Sequence, residues 1–400
     1  PKTIYHLSQV LHSLKNLKYY TLEISQIDYS NHWKHALKNL KCKHSFLKLN
    51  YVEEYYEKYE FVESLQTSLF IRKDSTFLKQ RSPILNKILI ANITADVDSR
   101  SSHLLHYIKN LENLIQLEFS ISSHTDFIYG FLRFPESLRR LKWIVSSNEI
   151  RYYQFRDCEL NTFEDYEAAL NRINNDPVFS SGFLDENPFF QLQYLELTGT
   201  PKKNDSGFEI LMLALLRPCL SLKGFKVILD GYSDMLCLQA FLLLYYISPS
   251  IQTLEVIAPL KVDLVPPLSE LPNLEKLILL SRCNIGQNDN SISQFINMLQ
   301  SSILTEVRLN LGGMPELHLI DLLNALSTQK VSKLEIHGVF IHSKDSLIEL
   351  IKIKQKLPYL RYFYLKHVKI GISIDVWNKY IENIRSISSL YSCNFEIISE

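Results

Sequence analysis

Neither sign of charge is in excess. Lys+Arg and Asp+Glu both number 43, giving a formal net charge of zero. A general nucleic-acid or membrane-surface binder needs a basic surplus, so this balance speaks against both. Cysteine is sparse: the six residues Cys42, Cys158, Cys219, Cys237, Cys283 and Cys393 form no Cys-x-x-Cys pair and have no histidine at zinc-ligand spacing. So few thiols in so long a chain read as reduced, and Cys219, Cys237 and Cys283, in or beside apolar runs, read as small core residues. No apolar run reaches transmembrane length, and the first residues do not read as a signal peptide. The expected setting is the cytoplasm or nucleus, with no membrane.

Catalytic signatures are also missing. The sequence has no Gly-rich phosphate loop; Gly312-Gly313 reads as a turn. It has no Gly-x-Ser-x-Gly elbow, and its histidines lack zincin spacing. His32, His35 and His44 with Cys42 make one His/Cys cluster, read as a solvent-facing helix and turn before a metal site. The expectation is a protein that is not an enzyme and needs no cofactor or metal.

What the chain does contain is a recurring Leu-x-x-Leu-x-Leu pattern, clearest at Leu274/Leu277/Leu279. Positions four and six share one face of a short strand, whose side chains alternate with a period of two. Position one anchors the turn into that strand. The pattern recurs at Leu192/Leu195/Leu197, Leu222/Phe225/Val227, Ile251/Leu254/Val256, Leu304/Val307/Leu309, Val331/Leu334/Ile336 and Leu360/Phe363/Leu365, with starts about 23 to 30 residues apart. Helical patterns lie between: SISQFINMLQ, ELHLIDLLNAL, SKDSLIELIKIKQKL and DVWNKYIENIRSI, preceded by GFEILMLALL and DMLCLQAFLLLYYI. Ser343 or Asp345 is the expected cap of the SKDSL helix and Asp375 that of the DVWNK helix. Pro249, Pro272 and Pro358 fall where a helix must stop.

The N-terminal part repeats less cleanly. Leu17/Tyr20/Leu22, Leu85/Ile88/Ile90, Leu114/Leu117/Phe119 and Leu138/Leu141/Trp143 fit, and HSFLKLNYV is a shorter candidate. The tyrosine-rich VEEYYEKYEFVESL reads as a helix or loop insertion. The repeat breaks over 147–188, a polar stretch with NNDP and SSGF turn signals. That divides the chain into 1–146, irregular repeats; 147–188, an insertion or joint; and 189–400, regular repeats.

These motifs resemble a leucine-rich-repeat protein, in particular the divergent F-box-type and ribonuclease-inhibitor-like repeats. A continuous asparagine ladder at position nine is absent: Thr200, Asp230, Pro259, Arg282, Gly312, Val339 and Val368 stand there. The resemblance implies an α/β solenoid shaped as a horseshoe, with parallel strands on the concave side and helices on the convex side. An ordinary doubly wound α/β sheet is the competing reading.

On a solenoid the outward strand positions three, five and seven form the binding face. The candidate partner-binding residues are Lys226, Ile228, Glu255, Ile257, Lys276, Ile278, Leu280, Arg308, Glu335, Tyr362 and Tyr364. Ile228, Ile257, Ile278 and Leu280 read as an exposed aliphatic stripe, and Tyr362 with Tyr364 as amphipathic anchors. The expected function is a protein-interaction scaffold, with the substrate-recognition part of an F-box-type ubiquitin-ligase adaptor as its specific form. A Skp1-like partner then follows if an F-box lies upstream of Pro1. The alternatives are a regulator of a small GTPase, whose acidic tail is not seen in NFEIISE, and a nucleic-acid-associated subunit, which the zero net charge disfavours.

Overall fold

Three apolar positions per repeat build the strands, and hydrogen bonds between repeats set their register. The computed structural model describes residues 19–24, 44–49, 64–71, 85–96, 108–122, 134–145, 191–199, 221–229, 250–258, 271–280, 289–300, 303–391 and 394–399, with His6, Gln9 and Ala168 as isolated positions. The chain forms two units: Pro1–Asp157 with Ala168–Leu192, and Cys158–Glu167 with Gln193–Glu400. Apart from Ala168, the 147–188 stretch lies outside the described residues, as do the GFEILMLALL and DMLCLQAFLLLYYI patterns and most of VEEYYEKYEFVESL.

The first unit carries β1 (Tyr19–Ile24), β2 (His44–Leu49), β3 (Ser64–Ile71), β4 (Ile88–Asp96), β5 (Gln116–Ser122) and β6 (Arg140–Val145). Each pairs in parallel with the next. The strand β3 was not legible in the sequence. In β4 the expected template Leu85/Ile88/Ile90 is displaced by three residues: Ala91 pairs with Leu117, and Ile93 with Phe119. The true set is Ile88/Ala91/Ile93, buried to 0%, 0% and 1% exposure. Leu85 falls instead in a single 3-10 turn, Leu85–Lys87. Phe119, Phe134 and Trp143 fill the core edge-on, with ring centroids 5.6–6.3 Å apart, the geometry that aromatic quadrupoles favour.

The second unit carries β7 (Tyr194–Gly199), β8 (Gly224–Leu229), β9 (Thr253–Ile257), β10 (Lys276–Leu280), β11 (Glu306–Met314), β12 (Lys333–Ile341), β13 (Tyr362–Ile370) and β14 (Asn394–Ser399). These too are parallel and in sequence order. Position four runs through Leu195, Phe225, Leu254, Leu277, Val307, Leu334 and Phe363, each fully buried. Position six runs beside it through Leu197, Val227, Val256, Leu279, Leu309, Ile336 and Leu365, none more than 2% exposed. The unit also carries helices α1 (Asp289–Leu299), α2 (Glu316–Leu326), α3 (Lys344–Ile351), α4 (Ile353–Lys356) and α5 (Ile374–Tyr391); α2 packs against β12, α5 against β14, and α1, α3 and α4 against neighbouring helices. Each unit is built as a leucine-rich-repeat solenoid, and in the second, strands lie on one side and helices on the other.

The start of each strand repeats one arrangement. The carbonyl of position two accepts two N–H groups from the next repeat, as Gln252 O does from Glu275 and Lys276, at 2.9 and 3.0 Å. The same fork joins Glu275 O to Thr305 and Glu306, Thr305 O to Ser332 and Lys333, and Ser332 O to Arg361 and Tyr362. A carbonyl has two lone pairs, so one acceptor satisfies two donors. Hydroxyls reinforce the step: Ser250 donates to Leu222 O at 2.8 Å, and Ser332 to Thr305 O at 3.1 Å. Pro272 and Pro358 sit at the second position of turns closed by Leu274 N–H to Leu271 O and Leu360 N–H to Leu357 O, both 3.0 Å. Their fixed φ suits that place.

The helix ends depart from expectation in detail. Ser343 does cap α3, accepting from the N–H of Ser346. Asp375 lies within the first turn of α5, not at its cap. The single helix expected over SKDSLIELIKIKQKL divides at Lys352 into α3 and α4. Gly312-Gly313 is no turn but part of β11, where the register shifts between Asn310 and Met314. Gly313 takes φ 134° there, a conformation that L side chains rarely adopt.

Candidate functional site

Burying positions four and six commits positions three, five and seven of β7–β13 to the opposite face of the sheet. Strand register sets them in rows. Position five runs Glu196, Lys226, Glu255, Ile278, Arg308, Glu335, Tyr364; position seven runs Thr198, Ile228, Ile257, Leu280, Asn310, His337, Lys366. All eleven predicted contact residues therefore lie on one face of the second unit.

The charges on this face pair laterally. Lys226 stands 3.9 Å from Glu196 and 3.4 Å from Glu255, its register partners on either side. Glu306 collects Lys276 at 3.5 Å, Lys333 at 3.4 Å and Arg308 at 2.8 Å. Glu335 collects Lys366 at 2.7 Å, His337 at 2.8 Å and Arg308 at 3.8 Å. Arg308 thus joins two carboxylate clusters. The first unit shows the same device in register, Lys142 to Glu118 at 3.0 Å.

Both carboxylates feel these neighbours. Burial alone would raise the pKa of Glu306, but Lys276, Arg308 and Lys333 outweigh it and hold the group below its ordinary value. Burial works the same way on Glu335 and is overcome by hydrogen bonds from Lys366 and His337 and by the charge of Arg308. An ionised Glu335 can only accept, so His337 presents Nε2–H to it.

The aliphatic stripe needs correction. Ile228, Ile257 and Leu280 are half-buried, but Ile278 is 2% exposed. It lies between Glu255 and Arg308 across the ladder and between Lys276 and Leu280 along its strand, and it offers a partner almost no surface. Glu335, 7% exposed, is likewise an internal member of the network more than a contact residue.

The aromatic end is open. Tyr362 and Tyr364 stack with centroids 6.5 Å apart and planes 7° from parallel, the spacing of alternate residues on one strand face. Lys366 lies over the Tyr364 ring at 5.9 Å, close enough for a cation–π contribution. At the other end Tyr194 lies over Gly224, which has no side chain to hold it off.

Sequence reasoning missed the residues that flank these rows at the strand starts. Template positions zero and two carry no pattern, yet they bring Ile303, Tyr359 and Arg361 to one edge of the sheet. The His32/His35/Cys42 cluster lies outside the described residues, and only the backbone of His44, at the start of β2, is described. No helix among the described residues is long and apolar enough to cross a membrane.

No protein-family model matches the chain, and no curated protein matches it. Solved structures do. One is a TLR13-ssRNA13 complex, which the chain resembles at a TM-score of 0.35 and 12% identity, over 97% of this chain and 62% of that one. The chain thus spans less than two thirds of that protein's length.

Proposed function

We propose that the protein is a binding scaffold that recognises a protein partner on the outward face of β7–β13 and performs no chemistry of its own. One observation carries this: seven neighbouring strands present their outward side chains in continuous register, fixed by lateral ion pairs before any partner arrives. Side chains already ordered lose little entropy on contact. Signs that change from row to row favour selective recognition over general attraction.

The specific form we propose is the substrate-recognition part of an F-box-type ubiquitin-ligase adaptor, in the cytoplasm or nucleus. It is supported by the type of repeat and by sparse, scattered cysteines. Affinity purification of the tagged full-length protein, followed by mass spectrometry, tests both levels. The scaffold reading requires a protein that co-purifies with the native chain and is lost when Ile257 and Ile228 are both replaced by Glu. A partner indifferent to that change would place recognition elsewhere. Absence of Skp1-like and cullin subunits from the purified material would remove the adaptor form alone.

A further inference from the structure

The cations on the outward face are already engaged. Lys226, Lys276, Lys333, Arg308 and Lys366 each stand within 4 Å of a glutamate carboxylate. The strand-start edge beside β11–β13 is different. Ile303, Lys330 and Tyr359 each precede by three residues the register-paired Glu306, Lys333 and Tyr362, so three successive repeats set them in one row with Lys330 in the middle. Ile303 and Tyr359 are 54% and 56% exposed, and Tyr362 next to them is 42% exposed. Only two other large hydrophobic side chains, Ile115 and Leu317, are this open among the described residues. Lys330 is the member of that row from the intervening repeat, and Arg361 lies between the two tyrosines, immediately before Tyr362; both are exposed. Neither Lys330 nor Arg361 has an ion pair with any described residue.

We propose that this edge patch, Ile303, Lys330, Tyr359, Arg361 and Tyr362, docks a short acidic segment of a partner protein in which carboxylates flank an aliphatic or aromatic side chain. The inference rests on the scaffold reading above and gives it a location and a partner chemistry. The composition fits. Tyrosine and arginine are the residues over-represented among binding hot spots, and exposed aliphatic surface beside them supplies the apolar contact. Lys330 and Arg361 can donate to carboxylates without first breaking an ion pair to any described residue, so the partner gains charge-assisted hydrogen bonds at low cost. Arg361 can take a carboxylate with two parallel N–H donors. Two cations without an ion pair among the described residues are too few to track a nucleic-acid backbone, which needs several phosphate contacts. The apolar half of the patch also has no use for a phosphate.

Peptide phage display against the full chain tests this. The library is random linear peptides, and three targets are compared: the native chain, Lys330→Glu with Arg361→Glu, and Ile228→Glu with Ile257→Glu. Circular dichroism checks that each variant is folded; the edge residues are exposed and tolerate charge reversal. The expected result is enrichment of peptides rich in Asp and Glu around a large apolar residue on the native chain. Synthetic copies of the selected peptides should bind the edge variant at least tenfold more weakly, and their affinity should fall with added salt. Tyr359→Ala should weaken the same peptides while leaving the charge intact. Selected peptides without acidic bias would overturn the edge proposal and leave the scaffold reading standing. So would acidic peptides that bind the edge variant unchanged but fail on the Ile228/Ile257 variant. Failure to select any peptide would overturn the proposal as a linear-segment site. Tighter binding of a single-stranded RNA oligonucleotide than of any selected peptide would overturn it in favour of nucleic acid.

Discussion

The side-chain carboxamide of Gln329 accepts a hydrogen bond from the backbone N–H of Leu304 at 3.2 Å, one repeat away. Its NH2 group donates to the carbonyl of Leu299, the last residue of α1. Gln329 is 6% exposed and sits just beyond the end of α2. One amide therefore bridges the carbonyl at a helix end and the N–H at the start of the next strand, where more regular repeats use an asparagine ladder. Gln329→Ala should cost about 1–3 kcal/mol for each polar group left without this partner. Gln329→Glu keeps an acceptor for Leu304 but turns a second oxygen toward Leu299 O, and should be at least as damaging. Urea unfolding of the three proteins measures this; a midpoint unchanged by the alanine variant would show that water replaces the amide without loss.

Tyr194 and Gly224 make a second coupled pair. A Cβ on Gly224 would lie 2.5 Å from Cδ2 and 3.0 Å from Cε2 of the Tyr194 ring. Contact that close forces the ring to move, an overpacking cost of about 1–3 kcal/mol. Alanine in a strand otherwise gains roughly 0.5–1 kcal/mol over glycine from the unfolded chain. Gly224→Ala should therefore destabilise the native protein and become neutral or stabilising when Tyr194 is already alanine. A double-mutant cycle reads this directly; additive effects would mean that the ring does not define the site.

Much of the second unit was legible because positions one, four and six are apolar in every repeat from β7 to β13. The register of Leu195 through Phe363 follows from that pattern alone. The first unit was harder. In β4 position four is Ala91, a small residue that the template does not single out, while Leu85, Ile88 and Ile90 imitate the motif three residues early. The strand β3 escaped because SLQTSLFI breaks the template: Leu65 and Leu69 are four residues apart with polar residues between them, and the register with β4 shifts between Leu65 and Gln66. Ile278 shows a limit of another kind. Strand alternation gives the side on which a residue lies, and it does not say whether longer neighbours will cover it. The edge residues Lys330, Tyr359 and Arg361 carried no signal because the positions they occupy vary freely from repeat to repeat.

The carboxylate clusters make acid sensitivity directional. The folded pKa values of Glu306 and Glu335 lie below the 4.5 of the free side chain. Beneath 4.5 the unfolded chain therefore binds protons that the native state does not. The stability these groups supply is complete above that value and is lost as pH falls through the lowered folded values. Glu335→Gln should remove its share: about 1–3 kcal/mol lower stability at neutral pH, because Lys366, Arg308 and His337 lose a charged partner, and a shallower decline below 4.5. Urea midpoints from neutral pH down to about pH 3 give both quantities. Parallel pH profiles for the two proteins would show that Glu335 titrates no differently in the folded chain.

Two isoleucines on the same face should respond in opposite ways to the same change. Ile257 and Ile278 are neighbours by strand pairing at one remove: Ile278 pairs with Glu255, two residues before Ile257. Ile257 is half-buried and its outer surface meets solvent, whereas Ile278 is 2% exposed. A glutamate at 257 can turn its carboxylate to water, so Ile257→Glu should change stability by about 1 kcal/mol or less. A glutamate at 278 must bury its charge beside Glu255, with Arg308 already committed to Glu306 and Glu335. Ile278→Glu should therefore cost several kcal/mol, or raise the new carboxyl's pKa until it is neutral. Thermal and urea melts of the two variants separate these outcomes, and repeating them at about pH 4 should recover part of the loss at 278 only. Equal tolerance at both positions would mean that Ile278 is open after all, and the aliphatic stripe would then return as a contact surface. Loss at 278 with tolerance at 257 leaves Ile257 as the position where a charge tests binding without disturbing the fold.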